Sequence, residues 1–400
     1  MQDPLLYISH FTMTNALGRG LNASLYALKA EHSGLTPCDF ADADLQTFIG
    51  RVADIDEEPL AGPFALYDCR NNRLAKIGLE QDRFAHAVEN LKLHYGSDRI
   101  GVFLGTSTSG IRQTEKAYRL RDPETGALPQ DFDFAHTHNT YSAARFTRAY
   151  FQLQGPAAVI STACSSSAKV FATAHRYIKM GFCDAAIVGG VDSLCLTTLL
   201  GFNSLELVSA DVCRPWDANR KGINIGEAAG FAIVEKVEKT PSSDCSIGLL
   251  GYGETSDAYH MSTPHPQGQG AAMAMCAALK KAALSPEQVD YINLHGTATK
   301  TNDSSEDHAV TEVFGTFTPC SSTKGYIGHT LGAAGICESI FCFLAMKHGF
   351  LPPSLNTVER DPLLTAQVIT AVKNQEVNIT MTNSFGFGGN NCSLVFGKLS

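Results

Sequence analysis

Residues 157–190 set the tightest constraint on the fold. "AAVIST" (157–162) and "AAIVGG" (185–190) are apolar runs with no polar alternation. That is the pattern of strands covered on both faces. Between them "SSSAKVFATAHRYIKMG" carries apolar residues at helical spacing and ends at Gly181, a helix stop. Strand, helix and strand in succession predict a βαβ unit and an α/β fold. "IGVFLG" (100–105) reads as another buried strand. "QVDYINLHG" (288–296) is strand-like, and "EVNITMTNSFGFGGNNCSLVFGK" (376–398) reads as two strands around a glycine loop. A 400-residue chain that is 44% hydrophobic can build two such units. The polar segment "VEKVEKTPSSDCS" (234–246) reads as their link, which gives halves of 1–237 and 238–400.

The halves carry a trace of repetition. At an offset of 168, Thr162/Thr330, Lys179/Lys347, Gly181/Gly349 and Phe182/Phe350 are identical pairs. Two buried helices can match by chance. A duplicated fold with two central helices related by pseudo-symmetry is the favoured reading.

Composition removes several function classes. The net charge of −9 argues against general nucleic-acid binding, though an acidic partner can still dock on a local basic patch. "MQDPLLYISHF" lacks the basic and apolar regions of a signal peptide. No apolar run reaches the ~18 residues expected of a membrane span. The twelve cysteines include no CxxC pair, and the closest two are Cys337 and Cys342. A zinc ribbon or disulfide framework is therefore not expected, and a reducing cytoplasm is. "HTH" (136–138) is read as a core or surface feature, and no metal site is expected.

Three stretches carry chemistry. Cys164 ends a strand and opens a helix, where the first free N–H groups and the helix dipole lower a thiol pKa. Its neighbours Ala163, Ser165 and Ser166 are small enough to admit a substrate carbonyl. The alternative is a buried structural cysteine. "LHGTATKTNDSSE" (294–306) offers His295, the hydroxyls of Thr297 and Thr299, and an acidic helix start from Asp303 to Glu306. "KGYIGHTLGAAG" (324–335) adds Lys324 and His329 before a glycine-rich helix. Each histidine is read as ending an apolar strand. One cysteine with two separate histidines is a plausible set for covalent catalysis. In "NSFGFGG" (383–389), Gly386, Gly388 and Gly389 permit positive φ around Phe387, and exposed N–H groups there suit half of an oxyanion hole.

Taken together, "STACSSS", "RPWDANRKGINIGEAAG", "ETSDAYHMSTPHP", "HGTATKTNDSSE", "KGYIGHTLGAAG" and "NSFGFGGNN" resemble the elongating β-ketoacyl-acyl carrier protein synthases of the thiolase superfamily. The resemblance spans almost the whole chain and is loose over the first 100 residues. It differs from thiolases, which carry a second catalytic cysteine in the glycine loop, and from initiating synthases, which use asparagine where His329 stands. Ala228, Lys300, Asn390 and the pair Ser165–Ser166 depart from the common pattern. They leave the pathway open between fatty-acid elongation and polyketide or polyene assembly.

The resemblance implies a thiolase-like α/β fold, with two pseudo-symmetric halves in five layers (α-β-α-β-α). It implies a decarboxylating Claisen condensation, with the acyl chain carried on Cys164 and the enolate oxygen held by His295 and His329. Lys324 and Glu306 would form a buried ion pair that orients both histidines. The N–H groups of Cys164 and Phe387 would form the oxyanion hole, with the Phe387 ring as a gate. Thr297 and Thr299 would hold the pantetheine. No cofactor beyond the carrier's own phosphopantetheine is implied. The partners implied are an acyl carrier protein and a second copy of the chain paired along "FQLQGPAAVIST". The alternative is a heterodimer with a related subunit, or a non-catalytic, chain-length-determining role within one. Candidate carrier-docking residues are Arg70, Arg73 and Lys76, and Lys116, Arg119 and Arg121.

Overall fold

The computed structural model describes residues 4–40, 43–236 and 246–399. Ten strands organise it. They are β1 (Leu6–Asn15), β2 (Ile100–Gly105), β3 (Ala157–Ile160), β4 (Ala185–Asp192) and β5 (Ala228–Lys236), then β6 (Ile247–Ser256), β7 (Tyr291–Asn293), β8 (Cys320–Ser321), β9 (Ile379–Gly386) and β10 (Asn390–Lys398). The first five lie in the order β3-β2-β4-β5-β1. The second five lie in the order β8-β7-β9-β10-β6, the same arrangement five strands later. Directions repeat as well. β2 is parallel to β3 and β4, and β7 is parallel to β8 and β9. In each half the two remaining pairings are antiparallel. The halves join edge to edge where Leu6–Ile8 of β1 pairs antiparallel with Ile247–Leu249 of β6. The boundary expected at residue 237 lies outside the described residues.

Helices complete five layers. On the outer face of the first half pack α1 (Arg70–Leu79), α2 (Phe84–Tyr95) and α3 (Ser142–Tyr150). Between the two halves run α4 (Ser166–Lys179) and α7 (Ala334–His348). Outside the second half lie α5 (Gln269–Ala282) and α6 (Lys300–Phe314). The strands alternate between these layers with period two. Ile187 faces the outer helices and Val188 the central pair. Likewise Leu394 and Phe396 face the central pair and Val395 the far side. Because both faces are covered, the strands read as unbroken apolar runs.

The repeat seen in the sequence is the central helix pair. α7 begins 168 residues after α4, and each ends in a left-handed glycine, Gly181 (φ 75°) and Gly349 (φ 61°). They pack closely: a Cβ on Gly335 would fall 2.5 Å from the Ala168 nitrogen. Phe396 meets Phe171 of α4 at 5.3 Å and Phe343 of α7 at 4.8 Å between ring centroids. Full burial of such side chains stabilises by about 1.5–3 kcal/mol each. One expectation changes here. Leu331–His348, with mean hydropathy 1.2 over 18 residues, is long and apolar enough to cross a membrane. Since 89% of that window is buried inside the fold, its apolarity is that of a core helix.

Candidate active site

Cys164 sits in the turn between β3 and α4, two residues ahead of the helix start. Ala163 before it is left-handed at φ 53°. The flanking serines fix this turn. Ser165 Oγ donates to the Thr162 carbonyl at 2.9 Å, and Ser166 Oγ donates to the Ala163 carbonyl at 2.5 Å. Left-handed non-glycine residues also lie close to both histidines: Ala298 at φ 65° and Leu331 at φ 54°. A left-handed non-glycine residue costs about 1–2 kcal/mol, and such strain concentrates at functional sites.

The fold brings Cys164, His295 and His329 together at the ends of three separate segments. Their ligand atoms lie within 4.8 Å of one another, and all three residues are buried. His329 Nε2 is 3.0 Å from Cys164 Sγ. The Leu331 N–H donates to His329 Nδ1 at 3.2 Å, which leaves the ring hydrogen on Nε2. At His295 the Lys324 ammonium lies 3.4 Å from Nδ1 and sets the same tautomer. Both rings therefore offer an Nε2–H donor. Burial and then the Lys324 charge hold both pKa values well below the usual 6.5, so both imidazoles are neutral. A metal ion bound at Nε2 would need the lone pair that this tautomer covers with hydrogen.

Three expectations need correction. Lys324 does not pair with Glu306. Its ammonium binds Glu338 on α7 and the His295 carbonyl. Glu306 on α6 instead accepts the N–H groups of His295 and Gly296, each at 2.8 Å, and so pins the loop after β7. Next, the Cys164 thiol is pushed up to about 11, not down. Burial causes this, and it outweighs the lowering by Lys324 and by the N–H groups of Phe387 and Cys164 that face Sγ. Finally, His329 does not end a strand. It follows the one-turn helix Lys324–Ile327 and Gly328, and its N–H donates to the Asn224 carbonyl at 2.7 Å.

The glycine loop lies where the sequence placed it, between β9 and β10. Only Gly388 (φ 77°) and Gly389 (φ 69°) use positive φ. Gly386 is extended at φ −108°, and it is small because a Cβ there would sit 3.1 Å from the Cys164 nitrogen. The half-buried Phe387 ring lies 5.6 Å from that of Phe202. Both rings line a cleft together with Cys164, Leu207 and Ile223. Thr297 and Thr299 line it as well, their hydroxyl oxygens 2.9 Å apart. Thr299 also caps α6 by accepting the Asn302 N–H.

The docking candidates divide. Arg70 is 3% exposed, and its guanidinium grips Glu227 at 2.6 and 2.9 Å. It is a core residue. Arg73 and Lys76 do share a helical face, but they are tied to Asp68 and Glu80 at 2.5 and 3.0 Å. Lys116, Arg119 and Arg121 are exposed. Lys116 and Arg119 lie on the helix Ile111–Arg119, whose Glu115 accepts the Thr197 N–H at 2.6 Å at the start of the helix bearing Phe202.

Sequence reasoning missed Glu338 and Asp192. Glu338 is the single carboxylate in the apolar stretch 330–346, which was its available signal. Asp192, at the end of β4, is fully buried and accepts the N–H groups of Ser107, Thr108 and Gly332. It ties the loop after β2 to the turn Leu331–Ala333 that leads into α7.

Comparison with known proteins agrees with this geometry. Residues 76–240 match the β-ketoacyl synthase N-terminal domain and residues 248–358 the C-terminal domain. The chain is 35% identical over 305 residues to Nodulation protein E of Rhizobium meliloti, covering 74% of this chain and 75% of that protein. It is 30% identical over 377 residues to 3-oxoacyl-[acyl-carrier-protein] synthase 2 of Staphylococcus aureus, covering 88% and 91%. Among solved structures it is similar to the ketosynthase ApeO in complex with its chain length factor ApeC from Xenorhabdus doucetiae. The TM-score is 0.88, with 38% identity and coverage of 99% of this chain and 98% of that one. It is also similar to the ishigamide ketosynthase/chain length factor, at TM-score 0.89 and 26% identity over the full length of both chains. With family domains matched in both halves and a Cys–His–His set brought together in one cleft, the chain belongs to the β-ketoacyl synthase family.

Proposed function

We propose that this chain catalyses carbon–carbon bond formation between a malonyl thioester and an acyl group held on Cys164. Both substrates would be delivered by an acyl carrier protein, for fatty-acid or polyketide elongation. The observation that carries this reading is the convergence of one thiol with two neutral Nε2–H imidazoles in a single cleft. In the first half-reaction Cys164 Sγ attacks the acyl thioester, and its proton leaves with the carrier's thiol. Three N–H donors face Sγ, those of Phe387, Cys164 and His329 Nε2, and they offset the thiol's high pKa as charge develops. In the second, malonyl thioester loses CO₂ and becomes an enolate. The Nε2–H groups of His295 and His329 stabilise its oxygen, each such donor contributing about 3–4 kcal/mol. The enolate carbon attacks the acyl carbonyl, the N–H groups of Cys164 and Phe387 hold the oxyanion, and Cys164 leaves as thiolate.

Cys164→Gln tests the division of labour, since a side-chain amide imitates the acylated thiol. It is expected to retain or raise malonyl decarboxylation while losing condensation. His295→Ala and His329→Ala should each slow decarboxylation about 10²-fold or more. A histidine variant that decarboxylates at the parent rate removes that residue from the enolate site.

Carrier docking is assigned to Lys116, Arg119 and Arg121, beside the helix whose Phe202 lines the cleft. Reversing charge at Lys116 and Arg121 together should raise KM for the carrier thioester about tenfold and flatten its salt dependence. Turnover of a short pantetheine thioester should be unchanged. Equal loss with both substrates would move these residues out of the docking surface.

A second thiolase-like chain is assigned to the free edge of β3. Its residues are half-buried, whereas those of the adjacent β2 are fully covered. An apolar edge with unpaired N–H and C=O groups calls for a partner strand. The likeness to a ketosynthase solved with its chain length factor supports a related subunit there, as an alternative to a second copy.

A further inference from the structure

The glycine loop carries the N–H aimed at Cys164 Sγ, and two main-chain bonds tether its outer side: the Gly388 N–H donates to the Met261 carbonyl at 2.7 Å, and the Gly389 carbonyl accepts the Asp257 N–H at 2.9 Å. Its downstream end is Asn390, which pairs with Gly386 across the β9–β10 hairpin and with Ser256 of β6. The Asn390 side chain reaches in two directions. Its Nδ2 lies 3.2 Å from where a Cβ on Gly388 would stand, against the loop itself. Its Oδ1 lies 3.3 Å from Nζ of Lys169, a half-buried residue one turn into α4 and five positions after the nucleophile. Among the described residues, Asn390 Oδ1 is the hydrogen-bond acceptor for that ammonium. Nucleophile helix and loop are thus joined by one charge-assisted bond. Asn390 is also a position where the sequence departs from the common pattern of its family.

We propose that Lys169 is a positioning residue. Through Asn390 it holds the glycine loop closed and keeps the Phe387 N–H on Cys164. The geometry gives the lysine a specific lever. It touches neither the thiol nor the histidines, but it fixes the strand residue on which the loop hinges. Gly388 and Gly389, just before Asn390, are the two residues of the loop at positive φ, where glycine turns without strain. Without the bond the loop samples open positions more often, and Cys164 loses cover and an oxyanion donor together.

The kinetic half of this proposal rests on the ketosynthase reading, and the chemical half does not. For the chemical half, iodoacetamide alkylation of Cys164 is followed by peptide mass spectrometry on the full chain. Lys169→Met and Asn390→Thr should each raise the Cys164 rate several-fold, and Lys169→Arg should restore the parent rate. The fully buried Cys392 should remain unreactive in all of them. For the kinetic half, Lys169→Met should lower kcat for condensation about tenfold, the scale of a charged hydrogen bond, with KM for the carrier thioester unchanged. Adding Asn390→Thr to it should cost nothing further, because the two residues make one bond. An unchanged Cys164 rate overturns the proposal. So does a parallel rise at Cys392, which marks general loosening, and so do additive kcat losses. If the parent protein itself does not condense, the function reading fails while the alkylation pattern still decides the role of Lys169.

Discussion

Cys164→Ala is expected to fold like the parent, to take up no acyl group from an acyl carrier protein, and to lose condensation by about 10⁴-fold or more. The fold should survive because the thiol is not a packing keystone. Its turn is closed by Ser165 and Ser166 hydroxyls, which the substitution leaves in place. Activity should not survive, because the other groups in the cleft cannot substitute. Thr297 and Thr299 hydroxyls bond each other and the start of α6, and among the described residues no second cysteine lines the cleft. The same measurement separates the catalytic reading from a partner-subunit role. Intact-mass analysis after incubation with an acyl carrier thioester should give the parent one acyl adduct, mapping to Cys164, and the variant none. A parent with no adduct supports the non-catalytic role, and elongation by the variant sinks the nucleophile assignment.

How much of this was legible in the sequence depends on distance along the chain. The strand and helix on either side of Cys164 were readable because each is a local pattern, an unbroken apolar run for the strand and a 3.6-residue period for the helix. Cys164, His295 and His329 were readable because each lies in a short small-residue stretch that admits little else. What misled was everything set by contacts across the fold. Arg70 in "CRNNRLAK" looks like a surface charge, and its partner Glu227 lies 157 residues away. The helix start before Ser166 does favour a thiolate, but desolvation of the site is a property of the packed halves and wins by raising the pKa to about 11. The resemblance implies Glu306 as the partner of Lys324. The true partner, Glu338, lies on the facing central helix, where an apolar run hides one acid.

That correction sets the second large expectation. Lys324 and Glu338 are both buried, at 1% and 2% exposure, and burial pushes the Glu338 carboxyl up to about 7 even with the ammonium beside it. Lys324→Met removes the ammonium whose charge and hydrogen bond favour the ionised form of Glu338. Stability should fall by about 3–5 kcal/mol, the usual consequence of stranding one member of a buried pair. The pH dependence should change with a definite sign. A carboxyl whose folded pKa is raised keeps its proton in the folded chain while the unfolded chain releases it near 4.5. The folded state then binds more protons, and stability falls as pH rises from about 4.5 towards the folded pKa. In the variant that fall should extend to higher pH, with a slope of up to about 1.4 kcal/mol per pH unit. Lys324→Met combined with Glu338→Leu removes both charges and should recover most of the stability, since an apolar pair of similar volume is often neutral or better. It should not recover decarboxylation. The ammonium also lies 3.4 Å from His295 Nδ1 and binds the His295 carbonyl, and without it the ring loses the contact that keeps hydrogen on Nε2. Urea unfolding across pH and a malonyl decarboxylation assay on the single and double variants measure the two effects separately. A double variant that regains activity along with stability would reduce Lys324 to a structural role.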